Sequence, residues 1–152
     1  MNKTLATLVL TVIPGAALAT PPNACEIIKP EEINAVAESK VERIQPQKSG
    51  NPSQCGFMDS RKAAVLVVSI REVQYAVKDE LHEERSQLEK IYKSKAKTLE
   101  TVGEGGYWQP INKQLGFRKG KMIVNVTFST LRNQNELDTA SIARIIENRL
   151  PK

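Results

Sequence analysis

The first nineteen residues constrain this chain most, because their pattern predicts that they are absent from the folded protein. Lys3 gives a positive start, residues 5–13 form an apolar run, and the segment ends in a small-x-small pattern at Ala19. This order is typical of a secretory signal peptide, cleaved here between Ala19 and Thr20. The apolar run is shorter than the about 20 residues that a membrane-spanning helix needs. We therefore expect residues 20–152 to form one soluble domain, in the periplasm or outside the cell.

The predicted compartment indicates the state of the two cysteines, Cys25 and Cys55. An even number of cysteines in an oxidising environment predicts a disulfide, and closing this loop stabilises a fold by about 3.5 kcal/mol in the chain-entropy model. A lipidated Cys25 is the alternative, but lipoprotein signals usually place leucine where this chain has Pro22. The spacing is not the C-x-x-C of a redox pair. We expect a structural bridge.

The charge of the chain bounds its partners. The formal net charge is +5, which includes Lys3, so the cleaved chain carries about +4. A basic balance suits an anionic partner such as a membrane surface, a cell-wall polymer or an acidic protein, although solubility alone explains it more simply. Aromatic residues make up 5% of the chain and do not alternate with basic ones, which argues against nucleic acid.

Apolar runs predict a β-sheet. The strongest strand begins at Ala63 with a nearly continuous apolar stretch, which indicates an interior strand covered on both faces. Lys119-Gly120 separates two further strands with the spacing of a hairpin. A loop is predicted over Pro46–Pro52, and residues 54–58 carry the second cysteine. The predicted strands are Val41–Gln45, Ala63–Val73, Thr98–Val102, Leu115–Arg118 and Lys121–Ser129.

Three segments predict helices. The first begins at Pro30, because proline suits a first turn and the two glutamates after it complement the positive helix end. The longest runs from Tyr75 to about Lys97, and the last follows Asn135, which forms a capping box with Asp138. Their apolar stripes are Ile33, Val36 and Ala37; Val77, Leu81, Leu88, Ile91 and Tyr92; and Leu137, Ile142, Ile145, Ile146 and Leu150.

The sequence carries little sign of catalysis. His82 is the only histidine, and Ser86 stands where a zinc-protease helix needs its second histidine. Zinc needs three or four converging ligands, so we expect no metal and no other cofactor. No nucleophile elbow occurs, and the glycines at 103–106 predict a turn with positive φ rather than a phosphate loop. We expect no catalytic residues, although spacing alone leaves a glycosidase-type carboxylate pair open.

Two surfaces are candidates for contact with a partner or ligand. Tyr107 and Trp108 follow the glycine-rich turn and could line a groove, with core packing as the simpler explanation. The second candidate is a basic hairpin, with a solvated turn as its simpler explanation. Its residues are Lys113, Arg118, Lys119 and Lys121.

Short motifs resemble those of a known family. Cys55-Gly56-Phe57 starts a strand, residues 103–108 read GEGGYW, and residues 115–121 read LGFRKGK before an alternating strand. With a signal peptide and a Pro-Glu-Glu helix, this order resembles the small exported bacterial proteins of unknown function that include mycobacterial cell-wall lipoproteins. Phe57 replaces the tryptophan typical of that group, and the lipobox is missing, so membrane attachment is not carried over. The resemblance implies a PsbP-like α/β sandwich: a curved, mainly antiparallel sheet, flanked by helices and bridged to the first helix. It brings no catalytic residues.

The sequence therefore predicts a single α+β domain whose sheet packs against the long helix and the C-terminal helix. We expect a non-catalytic binding or interaction module of the cell envelope, whose partner is an envelope protein or a small ligand. A small-molecule carrier with an apolar pocket between sheet and helix is the alternative, and a hydrolase is a weaker one. The sequence leaves the oligomeric state open, and a monomer is compatible with it.

Overall fold

The structure, a computed structural model, describes residues 20–73, 80–129 and 133–151. The predicted signal peptide, Val77 and the expected start of the longest helix lie outside these residues. Within them the chain forms seven strands and three helices. The strands are β1 Arg43–Lys48, β2 Ser53–Met58, β3 Ala64–Glu72, β4 Lys97–Leu99, β5 Glu104–Gln109, β6 Gln114–Lys119 and β7 Met122–Phe128; the helices are α1 Pro30–Asn34, α2 Glu80–Tyr92 and α3 Glu136–Arg149.

All seven strands belong to one sheet, in the order β1-β2-β3-β7-β6-β5-β4. Every neighbouring pair is antiparallel. The prediction of a single α+β domain with a mainly antiparallel sheet is confirmed.

The interior strand β3 lies between β2 and β7. Its register sets Leu66 opposite Phe128 and Val68 opposite Val126. Leu66 and Val68 are fully buried, whereas Val67, which points to the other face, is partly exposed. The predicted interior position is confirmed, but only one face of β3 is fully covered by the described residues.

The main core lies on the Leu66 face of the sheet. Helix α3 packs there against β6 and β7 and buries Ile142 and Ile146. Ile33 of α1 joins the same core, and Val36 and Ala37 pack against it partly buried.

The cap of α3 is the predicted one. Asn135 accepts hydrogen bonds from the backbone N–H groups of Leu137 and Asp138 at 2.8 and 3.2 Å. The carboxylate of Asp138 accepts from the N–H of Asn135 at 3.0 Å. The reciprocal pair satisfies backbone donors that a helix start leaves free.

The predicted disulfide between Cys25 and Cys55 is confirmed, with a Cα–Cα distance of 5.1 Å. Next to it, the N–H of Ala24 donates to the hydroxyl of Ser53 at 2.9 Å, and both residues are buried. The chain before α1 is thus fixed to β2. Arg149, at the end of α3, donates to the carboxylate of Glu32 in α1 at 2.6 and 2.8 Å.

Two helical predictions are wrong in detail. Helix α2 ends at Tyr92 rather than near Lys97, because Lys93 takes a left-handed φ of 49° and the N–H of Ser94 bonds back to the carbonyl of Glu89. Ile91 is exposed because it lies about 80° around the helix from the buried Leu81.

Leu137 was also expected in the core and is exposed. It lies about 140° around α3 from the buried Ile142, so it cannot face the sheet with it.

Two strand boundaries also differ from the prediction. Strand β1 begins at Arg43 and runs through Pro46 to Lys48, where a loop was expected. All six of its residues are exposed, and its register shifts between Pro46 and Lys48. Proline is tolerated because β1 is an edge strand, so its missing N–H leaves no ladder bond unmade. Strand β4 is three residues long, shorter than predicted.

The glycine-rich segment forms the start of β5 rather than a separate turn. Gly103 and Gly105 have φ of 53° and 65°, as predicted for positive-φ glycines, but residues 104–106 belong to the strand. The register is irregular between Glu104 and Tyr107. A bulge at the start of β5 therefore takes the place of the expected turn.

Candidate functional site

The two aromatic residues proposed to line a groove are buried. Tyr107 is fully buried and Trp108 is 7% exposed. Trp108 belongs to the main core, and Tyr107 lies on the opposite face over Gly116, where an added Cβ would be 2.4 Å from the ring. Core packing explains both residues. Because the two rings are buried, the prediction that they line a groove for a partner is corrected.

The basic hairpin is mostly engaged within the fold. Arg118 pairs with Glu104 of the neighbouring strand, and its side chain is largely buried. The ammonium of Lys119 donates to the carbonyl oxygen of Glu147 at the end of α3, at 2.5 Å. Lys121 is exposed in the turn. Arg118 and Lys119 therefore hold elements together, and they do not form a free cationic surface with Lys121.

A polar cluster that the sequence analysis did not identify lies on the opposite face from the main core, under α2. Its centre is Glu84, whose Oε1 accepts from the hydroxyl of Tyr107 at 2.6 Å and from Nε2 of Gln114 at 3.3 Å. Its Oε2 accepts from the guanidinium of Arg71 at 3.2 Å. We call this the Glu84 network. Its members are Arg71, Glu80, Glu84, Tyr107, Gln114 and Asn125.

The network fixes the protonation state of Tyr107 as well as the position of its ring. Burial raises the pKa of the Tyr107 phenol far above its usual range, and the charge of Glu84 raises it further. The phenol is therefore a permanent hydrogen-bond donor. Glu84 already accepts three hydrogen bonds of the about four that a carboxylate can take. Such a carboxylate is a clamp between α2 and strands β3, β5 and β6 rather than a free general base.

The space between α2 and the sheet is filled with side chains. A second buried cluster there contains Leu81, Ala96, Tyr107 and Ile123. Beside it, a concavity of about 440 Å³ is lined by charged and polar groups of Arg71 and α2. A small-molecule carrier would need an apolar cavity between α2 and the sheet. The packing of the described side chains there does not support this alternative.

The same sheet face continues beyond α2 as an open, uncharged surface. The register aligns Gln54, Ser69 and Asn125 in one row across β2, β3 and β7, and Val67 and Thr127 in the next. These five side chains are partly exposed. Helix α2 packs mainly against β5 and β6. We call the five residues Gln54, Val67, Ser69, Asn125 and Thr127 the open face.

The open face borders the Glu84 network through Gln114. Its Nε2 bonds to Asn125 Oδ1 at 3.2 Å as well as to the Tyr107 hydroxyl at 2.8 Å. On the other side, Gln47 of the edge strand lies over Gly56, close enough that an added Cβ would be 2.8 Å from its amide nitrogen. The alternation in β7 predicted that one face of this strand carries both polar and apolar residues. Only the order of the strands shows which polar residues of β2 and β3 share that face.

Neither a metal site nor a membrane span is found in the part of the chain that the structure describes. His82 is exposed, and no three His, Cys, Asp or Glu side chains of residues 20–73, 80–129 and 133–151 lie together as metal ligands would. In the same ranges, no helix has both the length and the apolar character to cross a bilayer.

Comparison with protein-family models gives no match for this chain, and comparison with the curated proteins gives none either. The resemblance to the small exported proteins that include mycobacterial cell-wall lipoproteins therefore stays a prediction.

Proposed function

We propose that this protein is a non-catalytic binding module of the cell envelope, and that it holds its partner on the open face. Export through a signal peptide cleaved between Ala19 and Thr20 is part of the proposal. The disulfide supports it, because structural bridges persist in oxidising compartments. Helices α2 and α3 on opposite sides of the sheet support the PsbP-like sandwich that the family resemblance implies.

The observation that carries the binding proposal is the composition of the open face. Its side chains offer amide and hydroxyl groups together with the aliphatic Val67, and none of the five is charged. Amides and hydroxyls both donate and accept hydrogen bonds, so this surface suits a polar, uncharged stretch of a polypeptide. The strands keep these groups at fixed spacings, since neighbouring strands lie about 4.8 Å apart.

The Glu84 network supports the same proposal by what it does to α2. It holds the helix beside the open face through hydrogen bonds to three strands, so α2 forms a fixed wall along one border. Its carboxylates Glu80 and Glu84 are already paired with Arg71 of β3. A partner on the open face therefore meets a surface that requires no rearrangement before binding.

Position-specific crosslinking in cells that export the protein tests this proposal. A photoreactive side chain at Thr127 lies on the open face, and the same group at the exposed Glu31 of α1 is the matched control. We expect Thr127 to capture a discrete envelope protein that Glu31 does not. The long charged side chain of Ser69→Arg should block this capture. Equal capture from both positions, or capture that Ser69→Arg leaves unchanged, contradicts the open face as the binding surface.

The mass of the exported protein tests the localisation separately. We expect a chain that begins at Thr20 and lacks two hydrogens because Cys25 and Cys55 are joined. A chain that retains residues 1–19, or one with two reactive thiols, would show that the protein is not processed as proposed.

A further inference from the structure

Three large apolar side chains are exposed near one end of the molecule. Ile91 is 69% and Tyr92 36% exposed in the last turn of α2, and Ile111 is 54% exposed in the turn between β5 and β6. Single exposed apolar residues need no explanation, but a group of them marks a contact site when they lie together.

A buried glutamine brings the two segments together. Gln109 is fully buried at the end of β5, and its Nε2 donates to the carbonyl of Ser94 at 3.0 Å, just after α2. Its Oε1 accepts from the N–H of Ile111 at 3.2 Å. The same side chain therefore fixes the turn that carries Ile111 against the end of the helix that carries Ile91 and Tyr92.

Four lysines lie on the same two segments as these apolar residues. Lys90, Lys93 and Lys113 form no ion pair among the described residues, and Lys95 lies 4.0 Å from Glu89. Glu89 is itself held by Arg85 and by the N–H of Ala96. We call this surface the lysine end. Its residues are Lys90, Ile91, Tyr92, Lys93, Lys95, Ile111 and Lys113.

The lysine end also contains a depression between its cations. It has a volume of about 390 Å³ and is lined by Ser86, Glu89, Lys90, Lys93, Ser94 and Lys95. Hydroxyl and ammonium groups are donors that suit the oxygens of a phosphate group.

We propose that the lysine end adsorbs to a membrane surface of anionic phospholipid. Lysines attract the lipid phosphates, and exposed Ile and Tyr side chains enter the interface between headgroups and acyl chains. The flexible lysine stems allow the ammonium groups to remain at phosphate level while their methylenes cover apolar surface. A soluble anionic polymer would use the lysines but would leave Ile91 and Ile111 in water, which is why the lipid surface is favoured.

This proposal does not rest on the open face, because the two surfaces share no residue. Its test uses the disulfide-bonded protein and sedimentation with vesicles, made either of phosphatidylglycerol mixed with phosphatidylcholine or of phosphatidylcholine alone. We expect binding to the anionic vesicles that weakens as salt is added. A pair of variants that lose the same charge then separates the effect of the lysines at the lysine end from the effect of the net charge of the protein.

The test variant replaces Lys90, Lys93 and Lys113 with Gln. Because each lysine near an anionic surface contributes about a fivefold gain in partitioning, we expect a loss of roughly 100-fold. The control replaces the exposed lysines Lys40, Lys48 and Lys121 with Gln, which removes the same charge elsewhere and should leave partitioning within a few-fold of the original protein.

Three outcomes would overturn the proposal. One is the absence of binding to anionic vesicles at low salt. Another is an equal loss in both triple variants, which would mean that net charge alone drives adsorption. The third is binding that Ile91→Ser combined with Ile111→Ser leaves unchanged while dextran sulfate competes fully, which would identify a soluble anionic polymer as the better partner.

Discussion

The two faces of the sheet are held by different kinds of interaction. On the Leu66 face, α1, α3 and the disulfide close over a core of mainly apolar, buried side chains. On the Tyr107 face, a small apolar cluster lies beside the Glu84 network, and the open face stays partly solvated. The difference indicates that the first face supplies most of the folding free energy, while the second places polar groups at fixed positions.

The largest expected effect is on the Leu66 face. Phe128→Ala removes a fully buried ring opposite Leu66, and we expect it to lower the free energy of unfolding by about 3–5 kcal/mol. Urea unfolding measures this loss. A cost near 1 kcal/mol would mean that the apolar face is not the principal source of stability.

The disulfide belongs to the same face and comes next. Replacing both Cys25 and Cys55 with Ala should lower the free energy of unfolding by about 3.5 kcal/mol, because the unfolded chain regains the freedom that the bridge removes. The control is dithiothreitol, which should bring the original protein to the stability of the variant and leave the variant unchanged.

The Tyr107 face should respond less strongly and more locally. Tyr107→Phe keeps the buried ring but removes the hydrogen bond to Glu84, and we expect a loss of about 1–2 kcal/mol. Hydrogen exchange should show faster opening of α2 than of α3. Equal acceleration in both helices would argue that the network stabilises the whole fold rather than the position of one helix.

A substitution at the end of α2 should change the free energy of unfolding less, and should raise it rather than lower it. Lys93→Gly relieves a left-handed backbone and should raise the free energy of unfolding by about 0.5 kcal/mol. Lys90→Gly, three residues earlier and within the helix, is the matched control and should lower it by about 1 kcal/mol. If both substitutions destabilise the protein equally, Lys93 does not end the helix as described.

The smallest effect concerns pH. The N–H of Ala96, together with Arg85, holds the pKa of Glu89 below its usual range. The ionised form is therefore favoured in the folded state, so its contribution is present above the unfolded pKa and is lost as pH falls through the folded pKa. Glu89→Gln should lower the melting temperature at neutral pH, and the difference from the original protein should vanish in acid. A difference that persists in acid would show that charge is not its source.

The elements that the sequence predicted best depend on local signals. The apolar run of β3, the hairpin at Lys119-Gly120 and the Asn135 cap each need only a few neighbouring residues to specify them. The end of α2 could not be predicted, because a left-handed residue at a helix end is usually Gly and here it is Lys93. The path of β1 through Pro46 depends on its being an edge strand, which the order of the strands decides.

The polar groups of the Tyr107 face are a second feature that could not be predicted from the sequence. Arg71, Glu84, Tyr107 and Gln114 lie on four elements, and no spacing along the chain relates them. Register brings them together, and register follows from the apolar face on the other side of the same strands. The sequence predicted that apolar face well. The polar residues on the opposite face can be placed together only once the order of the strands is known.

The edge strand β1 also bears on how the protein behaves when many copies are crowded together. Exposed edges invite further strands, and repeated addition leads to fibrils. Here Pro46 removes one backbone donor, and the register shift interrupts the ladder. In the antiparallel pairing that overlaps two copies of β1 over their full length, Arg43 of each would face Lys48 of the other, and these like charges repel. The same six residues that leave β1 open to water thus discourage the sheet from growing by adding a copy of itself.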